Sequence, residues 1–265
     1  MTKFSDRIKK SAKTSPIILA NDYDPKTPNI ESKTLKNIKL LSDYLCGIKI
    51  NFHLLLQLDK KQISKINKTA HDYGLECIAD IKLNDIGNTN IITTENLWNM
   101  GFDAVIVNPI MGKKSLKNLV ELSHKKNKGV ISLCHMSAPE AKLSYELEIK
   151  NRSKNQQLYQ LFLDWALSTH VDGIIVGATY PKIISYCKKS VRGKLSLFSP
   201  GIGTQGGSPS KAKKLDIYSP GIGKQGGNAK KAIANGSDFL IVGRTILNSK
   251  NPLKTTKDLV SDSLI

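Results

Sequence analysis

Two aspartates and a lysine are concentrated in the short segment 80–89, which reads DIKLNDIGNT. Side chains two residues apart on an extended strand point to the same face, so Asp80 and Lys82 are predicted to project together. Asp85 can reach the same space from the loop beyond. Two carboxylates around one ammonium are costly to hold unless they form a buried ion network or take part in chemistry. A salt-bridged strand end is the alternative interpretation of this motif alone.

Short apolar runs alternate with longer amphipathic stretches along the whole chain, and continuous apolar runs are typical of buried parallel strands. Eight such units predict an α/β fold, a TIM (β/α)8 barrel, as one domain over residues 1–265 with a polar lead-in at 1–15. A doubly wound open sheet is the alternative, but no run is followed by GxGxxG. The runs are Pro16–Ala20, Gly47–Ile50, Cys77–Ile81, Ala104–Val107, Val130–Cys134, Gly173–Val176, Leu195–Phe198 and Phe239–Val242.

Polar residues lie near the end of each of these runs or follow it. In a TIM barrel the active site lies at the carboxyl ends of the strands, so these side chains are predicted to converge on one mouth. They are Asp22, Lys49, Asp80, Lys82, Asp85, Asn108, Ser137, Thr179, Gln205 or Gln225, and Arg244.

Glycine-rich segments near the C-terminus have the composition of an anion site. The sequence SPGIGxQGG occurs at Ser199–Gly207 and again at Ser219–Gly227, and Ile241–Arg244 reads IVGR. Glycines let backbone N–H groups approach an anion, and the arginine fork suits a phosphate. TIM barrels build phosphate sites after strands seven and eight, so we expect one here; tight turns beside a surface arginine are the alternative.

Composition restricts the partners that the chain can have. It has 40 lysines and arginines against 22 aspartates and glutamates, a net charge of +18. The lysines are spread along helix-like segments without interleaved aromatic residues, which favours a solvated surface that attracts anionic substrates over a nucleic-acid site. No apolar run approaches the ~18 residues of a membrane span, and the N-terminus lacks a secretory signal. Four dispersed cysteines form no metal or redox motif, so we expect a cytoplasmic protein without a metal or cofactor.

In their order and spacing these residues resemble orotidine 5′-phosphate decarboxylase, in its shorter archaeal-type form, from Pro16 to about Pro252. The resemblance implies a lyase of pyrimidine biosynthesis that converts orotidine 5′-phosphate to uridine 5′-phosphate and CO2 without a cofactor. The segments that carry it are Leu19–Asp22, Gly47–Lys49, the DxKxxDIxNT block, Met136–Pro139, SPGIGxQGG and Ile241–Ile246.

The resemblance also implies roles for the charged residues. Lys82 would protonate the C6 carbanion, within a network that includes Asp80 and the Asp85 of a partner subunit. Lys49 would bind ribose and orient the acidic pair. Thr89, also from the partner, would contact ribose. A homodimer is therefore expected.

The remaining implied roles concern the nucleotide. Asp22 would bind the ribose or the pyrimidine side, and Ser137 would contact the pyrimidine and help a lid to close. A glutamine of loop seven would hold the phosphate together with Gly243 and Arg244.

The duplicated glycine loop departs from the family pattern. The two copies are offset by twenty residues, and only one can supply the seventh strand. The interval from Gly177 fits the first copy and the interval to Arg244 fits the second, so a 20-residue insertion lies around loop seven. Either Gln205 or Gln225 is then the phosphate ligand; the conventional distance to Arg244 favours Gln225.

Two other functions compete with this interpretation. One is a Mg2+-dependent sugar-phosphate decarboxylase or aldolase on the same barrel. The other is a catalytically impaired barrel that binds nucleotides or RNA.

Overall fold

A computed structural model describes residues 3–24, 26–150, 155–203 and 227–263. The strands are β1 (Ile17–Asn21), β2 (Gly47–Asn51), β3 (Glu76–Leu83), β4 (Ala104–Val107), β5 (Gly129–His135), β6 (Glu148–Lys150), β7 (Asn155–Gln157), β8 (Gly173–Val176), β9 (Ser196–Pro200) and β10 (Phe239–Val242). The helices are α1 (Phe4–Ser11), α2 (Ile30–Leu41), α3 (Phe52–Leu55), α4 (Lys60–Asp72), α5 (Gly87–Asn99), α6 (Lys113–Lys125), α7 (Leu158–Thr169), α8 (Pro181–Val191), α9 (Ala229–Ala234), α10 (Arg244–Leu247) and α11 (Pro252–Ser263).

Eight of the described strands close into one parallel barrel in the order β1-β10-β9-β8-β5-β4-β3-β2. Strands β6 and β7 form a separate antiparallel hairpin. Each apolar run predicted from the sequence overlaps one barrel strand, so the TIM-barrel prediction is confirmed. The barrel strands are buried along nearly their whole length because helices cover their outer faces.

The surrounding helices are amphipathic, and α4 illustrates why they form. A capping box of Asp59 and Gln62 satisfies its first backbone N–H groups. Its apolar stripe, which includes Ile63 and Ile66, is buried against the barrel, whereas Lys60 and Lys61 face solvent. None of the helices in the described ranges has the length and apolar character that a membrane crossing requires.

The N-terminal lead-in contributes to the core despite its polar composition. Helix α1 buries Phe4 and Ile8 under the barrel. A Cβ on Gly129 would lie 2.2 Å from the Phe4 ring, so the start of β5 must be glycine for this helix to pack. On the same helix, Arg7 donates two hydrogen bonds of 2.9 Å to the Glu76 carboxylate.

Aspartates at the amino-terminal end of the barrel join strands to helices. One such residue immediately precedes each of β4, β8 and β10. Its carboxylate accepts a hydrogen bond from a backbone N–H of the neighbouring barrel strand. The same carboxylate contacts a basic side chain of the helix that leads into this neighbouring strand. The sets are Asp103 with Cys77 N–H and His71, Asp172 with Val130 N–H and His124, and Asp238 with Leu197 N–H and Lys188.

We expect Asp172→Ala to lower the free energy of unfolding by about 2 kcal/mol, because the buried N–H of Val130 loses its acceptor. Asp72→Ala is the control, since Asp72 forms an exposed pair with Lys68 that is worth ~0.5 kcal/mol or less. Urea unfolding of both variants measures the difference. Equal effects of the two substitutions would show that the Asp172 contact does not stabilise the barrel.

Candidate active site

A cavity of about 220 Å³ opens at the carboxyl ends of the barrel strands. It brings together most of the polar residues that the sequence placed at one mouth. Apolar strand residues, among them Ile106, Leu133 and Ile175, form its floor. The predicted site residues that line it are Asp22, Lys49, Asp80, Lys82, Ser137, Gly243 and Arg244.

Opposite charges alternate across this cavity. The Asp80 carboxylate lies between two ammonium groups, with Lys49 Nζ 2.8 Å from its Oδ2 and Lys82 Nζ 2.8 Å from its Oδ1. Lys49 Nζ also lies 3.8 Å from Asp22 Oδ1. The side chains of Lys49 and Asp80 are 5% and 9% exposed, whereas that of Lys82 is 43% exposed. Each buried charge therefore has an opposite charge beside it, and Lys82 presents its ammonium to the cavity.

Neighbouring charges outweigh burial for the two central groups. Burial alone would raise the pKa of Asp80, but the ammonium groups of Lys49 and Lys82 lower it to about 2. Burial alone would lower the pKa of Lys49, but the carboxylates of Asp80 and Asp22 raise it above its ordinary value. Both groups are therefore charged throughout the neutral pH range.

Lys82 reaches Asp80 through an irregular strand rather than through the regular alternation that the sequence suggested. Asp80 is paired with Ile106 of β4 and Leu83 with Val107, so two residues of β3 have no partner there. Lys82 has φ of 45°, in the left-handed region that residues with a side chain rarely adopt. Bulges and strained residues of this kind re-aim side chains next to functional sites.

Asn51 belongs to the same cluster, although the sequence analysis did not identify it. Its amide nitrogen donates to Asp22 Oδ1, and its amide oxygen accepts from Lys49 Nζ. The signal in the sequence was its position two residues after Lys49, which places both side chains on one face of β2.

Residues after β9 and β10 form the other end of the cavity. Pro200, Gly201 and Ile202 lie opposite Gly243 and Arg244 there. Thr245 Oγ1 donates a hydrogen bond of 3.2 Å to the carbonyl of Ile202, so the two loops are tied together. A Cβ on Gly243 would lie 3.0 Å from Asp22 Oδ2 and 3.1 Å from the Ala20 carbonyl oxygen, so a larger residue here would crowd Asp22.

Both copies of the duplicated segment contribute residues to the barrel around β9. Strand β9 and the turn that follows come from the first copy, whereas helix α9 follows the second. Gly203 N–H donates to the Gly227 carbonyl at 2.9 Å, and Gly227 N–H donates to the Gly201 carbonyl at 2.7 Å. The last glycine of the second copy therefore pairs with the turn of the first. Gln205 and Gln225 both lie outside the described residues.

Four polar residues that were predicted near the mouth do not line this cavity within one chain. Asp85 and Thr89 are exposed beside the start of α5. Asn108 instead accepts a hydrogen bond from Ile110 N–H, and Thr179 Oγ1 donates to the Ser137 carbonyl at 2.9 Å. The expectation that every polar residue after a strand converges on the mouth was therefore wrong for Asn108 and Thr179. The side chain of Asn108 is hydrogen-bonded within a turn, and that of Thr179 is hydrogen-bonded to a backbone carbonyl.

Sequence comparison identifies the family. The profile of the orotidine 5′-phosphate decarboxylase / HUMPS family matches residues 15–259 of this chain. The chain belongs to this family. It is 31% identical over 247 residues to orotidine 5′-phosphate decarboxylase of Pyrococcus abyssi, covering 93% of this chain and 98% of the relative. The enzyme of the same name from Thermococcus kodakarensis is 30% identical, with 94% and 97% covered.

Solved structures of the family share the fold. Orotidine 5′-phosphate decarboxylase from Pyrococcus horikoshii superposes with a TM-score of 0.68 at 28% identity, covering 93% of this chain and 98% of the other. The enzyme from Methanocaldococcus jannaschii, complexed with the inhibitor BMP, gives 0.71 at 25% identity, with 95% and 100% covered.

The cluster of Asp22, Lys49, Asp80 and Lys82 should affect stability in acid. The folded-state pKa of Asp80, about 2, lies below its ordinary value of 3.8. Its ionised form therefore stabilises the fold above about pH 4, and this contribution of about 2 kcal/mol is lost as the pH falls toward 2. We expect Asp80→Asn to remove this part of the acid dependence, measured as the free energy of unfolding at pH 2 to 5. Asp72→Asn is the control, and a variant curve parallel to that of the wild type would contradict the assigned ion pairs.

Proposed function

We propose that the chain decarboxylates orotidine 5′-phosphate to uridine 5′-phosphate and CO2, the last step of de novo pyrimidine nucleotide synthesis. Family membership over nearly the whole chain supports this reaction. The observation that carries the proposal in the structure is the alternating row Asp22, Lys49, Asp80 and Lys82, in one cavity with Gly243 and Arg244. Such a row offers both a proton donor and a carboxylate to a bound anion.

Lys82 is the proposed acid. The bond between C6 and the carboxylate carbon breaks and CO2 leaves. The electron pair of the broken bond remains on C6, which becomes a carbanion. The Lys82 ammonium stabilises that charge and gives its proton to C6, which forms the product. The neutral amine then takes a proton from solvent, to which its partly exposed side chain has access.

Asp80 is proposed to act on the substrate carboxylate. Its low pKa keeps it ionised at the pH of the reaction. A fixed carboxylate beside the substrate carboxylate repels the bound substrate, and this repulsion is relieved as CO2 forms. Lys49 is hydrogen-bonded to Oδ2 of Asp80, the oxygen that Lys82 does not contact, and holds that carboxylate in place.

Other parts of the mouth are proposed to bind the nucleotide. Gly243 and Arg244, with Gln205 or Gln225, would hold the phosphate, and Asp22 and Lys49 would bind ribose. Because the phosphate is remote from C6, its binding energy can organise the site without taking part in bond breaking.

Ser137 would contact the pyrimidine. Its carbonyl accepts from Thr179, and the Tyr180 hydroxyl donates to the carbonyl of Ala138 at 2.8 Å. A Cβ on Gly177 would lie 2.5 Å from Ser137 Cα, so the two loops pack in direct contact. These contacts support the segment that we expect to close over the substrate.

We further propose a homodimer in the cytoplasm. Asp85 and Thr89 would complete the neighbouring subunit's site with a carboxylate and a ribose contact. Large apolar side chains, Phe52, Ile86 and Ile110, are exposed shortly after the carboxyl ends of β2, β3 and β4, as a dimer surface there would require. The four cysteines are free and buried, as expected in a reducing compartment.

The two competing functions have less support. The relatives named above are decarboxylases of orotidine 5′-phosphate, which disfavours a sugar-phosphate decarboxylase or aldolase. A non-catalytic nucleotide or RNA binder would not need a proton donor paired with a buried carboxylate. Turnover in the presence of EDTA separates these possibilities, because Mg2+-dependent relatives would be inactive.

We expect Lys82→Ala to lower kcat by at least ~10²-fold because the proton donor is lost. Binding of uridine 5′-phosphate should remain within about threefold of the wild type, since the phosphate and ribose contacts stay. Loss of substrate absorbance measures turnover, and calorimetric titration measures binding. Lys68→Ala, on the outer face of α4, is the control.

Wild-type protein that binds the product nucleotide but gives no turnover would contradict the proposed reaction. Turnover by Lys82→Ala at the wild-type rate would reject only the role of this lysine.

Co-expression of Lys82→Ala and Asp85→Ala chains tests the shared site. Random pairing makes about half of the dimers mixed, each with one intact site, so about a quarter of the wild-type activity should return. Each variant expressed alone should be nearly inactive. If the mixed preparation shows only the average of the two variants, Asp85 does not act across the interface.

A further inference from the structure

Asn51 occupies a bridging position in the charged row that the proposed mechanism leaves without a role. It is the last residue of β2, lies in register with Asp80 of β3, and lines the cavity. Its amide contacts the two charges that flank it, donating to Asp22 and accepting from Lys49. No other uncharged side chain in the described residues is hydrogen-bonded to both of these groups.

The charges fix the orientation of this amide. A flipped amide would direct its NH2 group at the Lys49 ammonium and its oxygen at the Asp22 carboxylate, and both contacts would be repulsive. The amide also spans a gap, since Lys49 Nζ lies 3.8 Å from Asp22 Oδ1 but 2.8 Å from Asp80 Oδ2. The short ion pair of Lys49 is therefore the one with Asp80, whereas Asp22 accepts from the amide and its own ion pair with Lys49 stays long.

We propose that Asn51 is a positioning residue of the reaction. Its amide holds Asp22 and Lys49 apart, so that Asp22 stays available to the ribose and Lys49 stays hydrogen-bonded to Asp80. This inference rests on the proposed function. Without the amide, the long ion pair between Asp22 and Lys49 can close to hydrogen-bond distance, which draws Lys49 away from Asp80. Asp22 would then lose its position for the ribose contact, and Asp80 would lose its fixed position beside Lys82.

Asn51→Ala should therefore lower kcat/KM about tenfold, with changes in both kcat and KM, because one partly buried hydrogen-bond partner is removed from each charge. The thermal unfolding midpoint of the variant shows whether it is folded. A folded Asn51→Ala enzyme within about twofold of the wild-type kcat/KM would overturn the proposal.

Asn51→Asp gives a second test that a purely structural role would not affect. The charged groups that line the cavity with this position are Asp22, Lys49, Asp80, Lys82 and Arg244. A protonated Asp side chain can imitate the amide, donating to Asp22 and accepting from Lys49. An ionised one cannot donate, and it places a carboxylate against Asp22. Because the ordinary pKa of an Asp side chain is about 4, kcat/KM of this variant relative to the wild type should therefore fall several-fold between about pH 4 and pH 7.

Asn108→Asp is the matched control, because Asn108 also follows a barrel strand but lies outside the cavity and caps a turn that Asp caps equally well. Its pH profile should follow that of the wild type. A pH-independent ratio for Asn51→Asp would overturn the positioning role while leaving the decarboxylase assignment intact. Absence of turnover in the wild-type enzyme itself would instead reject the function on which the inference rests.

Discussion

The placement of one carboxylate between two ammonium groups is the interaction on which the rest of this site depends. Asp80 is buried and yet ionised because Lys49 and Lys82 each lie 2.8 Å from one of its oxygens. Removing either lysine would leave a buried charge with half of its compensation. The neighbouring parallel strands β2 and β3 supply these groups, so the barrel fixes the spacing of the charges before any substrate binds. Preorganisation of this kind is what electrostatic catalysis requires.

The two ends of the barrel have separate tasks. At the amino-terminal end, the carboxylates of Asp103, Asp172 and Asp238 are fully engaged with backbone N–H groups and basic side chains. His71, Cys77 and Asp103 also have ligand atoms close together, but Arg7 and Lys128 already contact the Asp103 carboxylate. This end stabilises the fold. At the carboxyl end, Lys82 and Asp22 remain partly exposed and available to a ligand.

Much of this arrangement could be predicted from the sequence, because buried parallel strands leave continuous apolar runs and the active site of a barrel follows their ends. Local deviations could not be predicted. The bulge that turns Lys82 to φ of 45° and the bridging role of Asn51 both depend on contacts between neighbouring strands. The pairing of Gly203 with Gly227 could not be chosen either, since two nearly identical copies offer equivalent glycines. Repetition removes the information that would specify a register.

A crystal structure of the wild-type protein with uridine 5′-phosphate would test the central claim most directly. We expect the phosphate beside Gly243 and Arg244, the ribose between Asp22 and Lys49, and pyrimidine C6 facing Lys82 Nζ. A nucleotide bound elsewhere, or bound in this cavity with C6 remote from Lys82, would contradict the claim that this row of charges performs the decarboxylation.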